Sequence, residues 1–139
     1  MYAELLFRDE ARTKLLAGAS AVADAVRATL AREVTGKGDV CLTCSFQAED
    51  VLLTKLAIAI DPKIPVRFLD TGYHFPETIG TRDAVASVYD VNVISAIPLR
   101  TVAEQDADEG KDLFARNPDR CCELRKVTPM NVALAPYDV

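Results

Sequence analysis

The stretch "DVCLTCSFQAEDVLLTKLAIAI", residues 39–60, decides the fold. Its opening, Asp39 to Phe46, is short, apolar and partly β-branched, which predicts a strand. From Ala48 to Ile60 the leucines and isoleucines leave Glu49, Asp50 and Lys55 at the margins, which predicts a helix. The same alternation continues downstream. Pro62 and Pro65 bracket a turn, and "IPVRFLD" (64–70) reads as a second strand ending at Asp70-Thr71-Gly72. A helix follows from Pro76 to Tyr89, with Pro76 suited to its first turn. "VNVISAI" (91–97) reads as a third strand, Thr101 to Glu109 as a short helix, and Pro118 to Val127 as another. Upstream, Asp9 to Arg32 reads as a helix with Leu15, Ala19, Val22, Val26 and Leu30 on one face, ended by Gly36 and Gly38. Helices alternating with strands predict an α/β fold, a parallel sheet with flanking helices. Ligands of such sheets sit beyond the carboxyl ends of the strands.

The 139 residues amount to one domain, with an N-terminal helical segment over 1–35 and a core over 36–139. Half of the residues are hydrophobic and 27% are charged, an ordinary globular balance. No apolar run approaches the ~20 residues that span a bilayer. The beginning, "MYAELLFRDEARTK", lacks the layout of a signal peptide, so a cytoplasmic protein is expected. A net charge of -5 argues against nucleic acid or an anionic membrane as partner. The segment 110–126 is nevertheless locally basic, at +2, against -6 for residues 1–109. A small basic patch on an acidic chain suits one compact anion.

Two strand ends carry the candidate chemistry. In "TCSFQAED" a strand turns into a helix N-terminus, where backbone N–H groups and the helix dipole favour an anion, helped by Ser45 and Gln47. The absence of glycine there leaves an ordinary turn as the alternative. In "LDTGYHFPET", Asp70-Thr71-Gly72 permits a sharp turn able to hold a base edge or a ribose hydroxyl. His74 is the single histidine, and an isolated ring is more often structural than catalytic.

The four cysteines fall in two pairs and read as thiols or metal ligands rather than disulfides. Positions i and i+3 of a strand face opposite ways, so Cys41 and Cys44 do not share a metal readily. Cys41 is expected to be a small buried hydrophobe; Cys44 is left open. Adjacent Cys121 and Cys122 diverge by about 100° on a helix and would reach one large cluster more readily than one zinc ion. An iron–sulfur cluster takes four thiolates, so two more would have to come from elsewhere. Two incidental thiols are the plainer alternative. Arg125 and Lys126 would stabilise thiolates or a bound phosphate or sulfate, or form a solvated pair.

Taken in order, "SFQAED", "LDTGYHFPET" and "GKDLFARNPDRCCELRKVTPM" resemble the sulfonucleotide reductases of assimilatory sulfate reduction over residues 35–135. "RNPDRCCELRK" is the most specific element. Its double cysteine resembles the adenylyl-sulfate (APS) branch, actinobacterial in type, which carries a [4Fe–4S] cluster. The cluster-free branch acts on the 3′-phosphorylated nucleotide (PAPS).

The resemblance implies a Rossmann-like, adenine-nucleotide hydrolase-like sandwich. It also implies Cys121 and Cys122 as two of four cluster ligands, with Lys126 between cluster and phosphosulfate and Arg125 beside it. Ser45, Phe46, Gln47, Glu49 and Asp50 match the phosphate loop; Leu69, Asp70, Thr71 and Gly72 match the cradle for adenine and ribose. In that family a C-terminal cysteine attacks the sulfur, releases AMP, and yields sulfite when thioredoxin reduces the product. The sequence ends at Val139 without that tail, a second C-x-x-C or the downstream arginine loop, so no turnover is expected of this chain alone. PAPS reduction, a non-catalytic nucleotide-binding remnant and a small thiol or metal protein are the rival readings. Two chains pooling cysteines would make a homo-oligomer.

Overall fold

The computed structural model describes residues 9–138. Helix α1 (Asp9–Val34) leads to strand β1 (Leu42–Thr43), helix α2 (Ala48–Ile60), strand β2 (Val66–Leu69), helix α3 (Pro76–Tyr89) and strand β3 (Val93–Ala96). Helices α4 (Val102–Glu109), α5 (Leu113–Arg116) and α6 (Pro118–Cys122) follow. A π turn (Glu123–Val127) then runs into α7 (Thr128–Leu134). The sheet order is β1-β2-β3, parallel throughout, with Leu42 opposite Val66 and Val66 opposite Val93. The expected α/β fold with a parallel sheet and flanking helices is what the chain adopts. The reading of residues 1–8 lies outside the described residues.

Alternation along β2 sorts the two faces. Val66 and Phe68, both fully buried, join Cys44, Phe46, Val85 and Val91 in the core, with Val51 and Ile58 of α2 and Ile79 and Tyr89 of α3 packed against them. Burial of a side chain such as Phe68 contributes about 1.5–3 kcal/mol. Arg67 points the other way. Its guanidinium donates to the Tyr137 hydroxyl at 2.8 Å and lies 5.1 Å from that ring, while α7 packs against β2 and β3.

The strand expected over 39–46 is regular only at Leu42–Thr43, although its pairing runs on from Leu42 N–H to Pro65 O and from Cys44 N–H to Arg67 O. At its start, Asp39 O accepts from the Asp138 N–H at 2.7 Å. The apolar stripe of α1 lies in solvent at Leu15, Ala19 and Val22. Among residues 11–34, apart from Ala11, the helix is half-buried only from Ala23 onward, and it packs on α2.

The helix expected to stop at Val127 instead continues to Leu134 through the π turn. Thr128 N–H bonds to Glu123 O, five residues back. Pro129 accounts for the widening, because its ring would clash with the Arg125 carbonyl and it has no N–H to offer. Helix α4 starts on a complete capping box: the Thr101 hydroxyl accepts from Glu104 N–H, and the Glu104 carboxylate accepts from Thr101 N–H.

Candidate functional site

At the end of β1 the chain turns sharply. Phe46 adopts a left-handed φ of 62°, a cost of about 1–2 kcal/mol for a non-glycine residue. Its buried ring, 5.4 Å from that of Phe68, holds it there. Asp50, in the first turn of α2, accepts from Ser45 N–H at 2.7 Å and Ser45 Oγ at 2.6 Å. Gln47 occupies the N-cap without a side-chain cap, and Glu49 is exposed. The first intrahelical bond is Val51 N–H to Gln47 O, so the N–H groups of Ala48 to Asp50 face out of the helix end.

The end of β2 is stitched by its own side chains. Asp70 Oδ1 accepts from Gly72 N–H at 3.1 Å and Thr71 Oγ1 from Tyr73 N–H at 3.3 Å. His74 Nε2 lies 2.8 Å from the Leu69 carbonyl, and its ring is 4.9 Å from Phe68, so the histidine fastens this turn to the core. Gly72 has a φ of 77°, which glycine alone adopts without strain.

The helix from Pro118 to Leu134 supplies the third wall. The Asn117 side chain caps it by accepting from Arg120 N–H, with Pro118 in the first turn. Cys121 is buried and Cys122 exposed, yet both line one cavity of about 720 Å³ with Thr71, Tyr73, Phe114 and Lys126. A second cavity of about 400 Å³ is bounded by Ser45, Asp50, Leu69, Thr71, Lys126 and Met130. Thr71, His74 and Lys126 line both, so the two cavities adjoin. No carboxylate lines the cysteine cavity, and Lys126 forms no ion pair among the described residues.

Residues 39–139 match the family described as phosphoadenosine phosphosulfate reductase domain. The chain belongs to this family. Within it, the chain is 63% identical over 89 residues to the adenosine 5'-phosphosulfate reductase of Rhodococcus erythropolis, covering 64% of this chain and 36% of that one. It is 57% identical over 107 residues to the Rhodococcus opacus protein of the same name, covering 77% and 43%. A Mycobacterium tuberculosis protein, also so named, is 57% identical over 99 residues, covering 68% and 39%. The chain thus spans about two fifths of the length of these curated relatives. Among solved structures, a phosphoadenylyl-sulfate reductase from Candida auris in a phosphate complex superposes with a TM-score of 0.67, over 80% of this chain and 55% of that one. At 22% identity this likeness shows the fold, the Rossmann-like one expected.

Against that family background the geometry sorts the expected residues. Ser45, Asp50, Leu69, Thr71 and Lys126 meet around one cavity; Cys121 and Cys122 meet around its neighbour. Phe46 contributes a buried ring, while Gln47, Glu49 and Gly72 are exposed and line neither cavity. Asp70 is half-buried, with Arg82 at 3.9 Å. Arg125, expected beside the substrate, is 4% exposed and spends its donors on the protein: Nε on the Thr71 carbonyl, Nη1 on Arg100 O and Gln105 Oε1, both at 3.2 Å.

The first cysteine pair reverses one expectation. Cys44, not Cys41, is the core residue, because Leu42 and Cys44 share the face of Val66 while Cys41 points toward the Arg67 side. Cys44 Sγ accepts from Phe46 N–H at 3.3 Å. Burial pushes the thiols of both Cys41 and Cys44 up, with Arg67 partly offsetting it at Cys41. Tyr73, Gln105 and Met130 escaped the sequence reading; only Tyr73, next to the glycine turn, carried a local signal. Burial is also the main cause that raises the Tyr73 hydroxyl.

The fit of a cluster rests on donor chemistry. Two soft thiols share one cavity with no competing carboxylate, which suits half of a thiolate ligand set. Among the described residues no group of three or more His, Cys, Asp or Glu converges on a metal. No helix of the described residues is long and apolar enough to cross a membrane.

Proposed function

We propose that this chain carries the nucleotide- and cluster-binding part of a thioredoxin-dependent adenylyl-sulfate reductase of sulfate assimilation, acting in the cytoplasm. The observation that carries the reading is Lys126, a cation without an ion pair among the described residues, on the wall shared by the two cavities. Adenine and ribose lie along Leu69 to Gly72, and the α-phosphate meets the N–H groups at the start of α2. The sulfo end then points to Lys126. Asp50 already holds Ser45 N–H and Oγ, so it orders the loop rather than touching the anion. Arg125 orients the Thr71 carbonyl from beneath.

In this reading Cys121 and Cys122 hold one side of a [4Fe–4S] cluster, and the remaining ligands come from outside the described residues. When bound, the cluster supplies a charged, polarisable iron–sulfur centre beside the anion site. The net reaction is a two-electron reduction: a dithiol supplies the electrons, the bond from sulfur to the phosphate oxygen breaks, and AMP and sulfite leave. Relatives named adenosine 5'-phosphosulfate reductase support APS as the substrate.

Calorimetric titration with AMP, APS and PAPS tests this. APS is expected to bind more tightly than PAPS, and Lys126→Ala is expected to weaken APS by about 10-fold, roughly 1.4 kcal/mol, with less effect on AMP. Tighter binding of PAPS would transfer the reading to the 3′-phosphorylated substrate. For the cluster half, iron and acid-labile sulfide are measured on anaerobically purified protein beside a Cys121→Ser/Cys122→Ser double variant. Equal iron in both would remove the cysteines from the ligand set.

A further inference from the structure

Arg125 is the one arginine in the described residues whose side chain is packed almost wholly inside the protein. Its guanidinium reaches three separate segments: the turn after β2 through the Thr71 carbonyl, the loop after β3 through the Arg100 carbonyl, and α4 through Gln105 Oε1. Gln105 is itself 1% exposed. The guanidinium carbon also stands 5.4 Å from the centre of the Tyr73 ring. A Cβ on Gly72 would come within 2.9 Å of Nη2, so the glycine admits the arginine. No carboxylate pairs with Arg125 among the described residues, and a buried unpaired cation is costly.

The same side chain sits one helical turn beyond Cys121, in the π turn, and lines the cysteine cavity. Thr71, whose carbonyl it holds, lines the nucleotide cavity as well. Displacement of the Thr71–Gly72 turn therefore pulls on the guanidinium, and through it on the helix that carries Cys121. A lysine has no planar fork with which to hold Thr71, Arg100 and Gln105 together.

We propose that Arg125 is a positioning residue that couples the two cavities, so that filling the nucleotide cavity changes the accessibility of Cys121. The coupling rests on the nucleotide reading given above. Linkage makes the underlying equilibrium reciprocal: if AMP disfavours the opening that exposes Cys121 by a given factor, that opening weakens AMP by the same factor.

The test uses the reduced full chain and AMP, which has no sulfo group to reach into the cysteine cavity. Alkylation of each cysteine by iodoacetamide is followed by mass spectrometry with and without saturating AMP, and AMP binding is measured separately by calorimetry. AMP is expected to slow Cys121 by about 5-fold and to leave Cys41, which lines neither cavity, unchanged. In Arg125→Lys, at AMP concentrations raised to saturation, the protection of Cys121 is expected to vanish. A merely structural role would change the AMP-free rates and would move Cys41 too.

Bound AMP without protection of Cys121 in the unaltered chain overturns the coupling and leaves the nucleotide reading standing. Full protection in Arg125→Lys overturns the part given to Arg125. No AMP binding at all overturns both. If Arg125→Lys shows no melting transition, Gln105→Leu keeps the arginine and removes one acceptor; it is expected to bind AMP with reduced protection, and unchanged protection counts against the proposal.

Discussion

The two cysteine pairs put the same side chain to opposite uses. Cys41 and Cys44 have the spacing of many metal and redox motifs, yet one half-buried sulfur faces the Arg67 side of the sheet and the other lies in the core beside Phe46 and Phe68. Cys121 and Cys122 have a spacing that few motifs use, yet both open onto one cavity with Lys126 at its wall. The difference lies in the elements that carry them. A strand sends i and i+3 to opposite faces, whereas a helix keeps adjacent residues within about 100° of each other. Two thiols 100° apart still reach a common space of several ångströms.

Differential alkylation breaks or keeps this comparison most forcefully. Cys122 is expected to react about 100-fold faster than Cys44, whose exposure needs an opening of the core. Comparable rates would mean that Cys44 is not enclosed as described. Next in size is stability. Cys44→Ser is expected to cost about 1–3 kcal/mol in urea unfolding, because a hydroxyl replaces a buried apolar sulfur. Cys122→Ser should stay within about 0.5 kcal/mol.

A smaller effect sharpens the helical half of the comparison. Asn117→Ala removes the cap of the cysteine-bearing helix, at about 1 kcal/mol, and should raise the alkylation rate of Cys121 but not of Cys44. The smallest is a slope with pH. Burial raises the Cys44 thiol in the folded state, so the stability it contributes is complete below the unfolded thiol value of about 8.5. It is lost as pH rises through the folded value. Unfolding free energy should therefore decline on the alkaline side, and Cys44→Ala should flatten that decline.

Much of the fold was legible in the sequence because its signals are local. Helices α2 and α3 begin and end where apolar periodicity and proline punctuation put them, at Ala48–Ile60 and Pro76–Tyr89. The two strand ends that bound the cavity of Ser45, Asp50 and Leu69 were legible for the same reason. What resisted reading depends on partners far along the chain. The phase of β1, which decides between Cys41 and Cys44, is fixed by β2 and by the left-handed Phe46. The burial of Arg125 depends on carbonyls 54 and 25 residues away, so "RK" read as a pair beside the substrate or a solvated pair, and not as a buried guanidinium. The apolar stripe of α1 predicted a helix correctly but says nothing of what packs against it.

The π turn over Glu123–Val127 has a consequence for heredity. It is a helix holding one residue more than its regular ladder can use. One codon inserted into an ordinary helix produces such a turn without rotating what lies beyond it, because the extra residue is taken up locally. The half of the helix that carries the thiols and the half that brings Met130 to the cavity of Ser45 and Asp50 thus keep one phase, with Arg125 and Lys126 set on the widened turn between them.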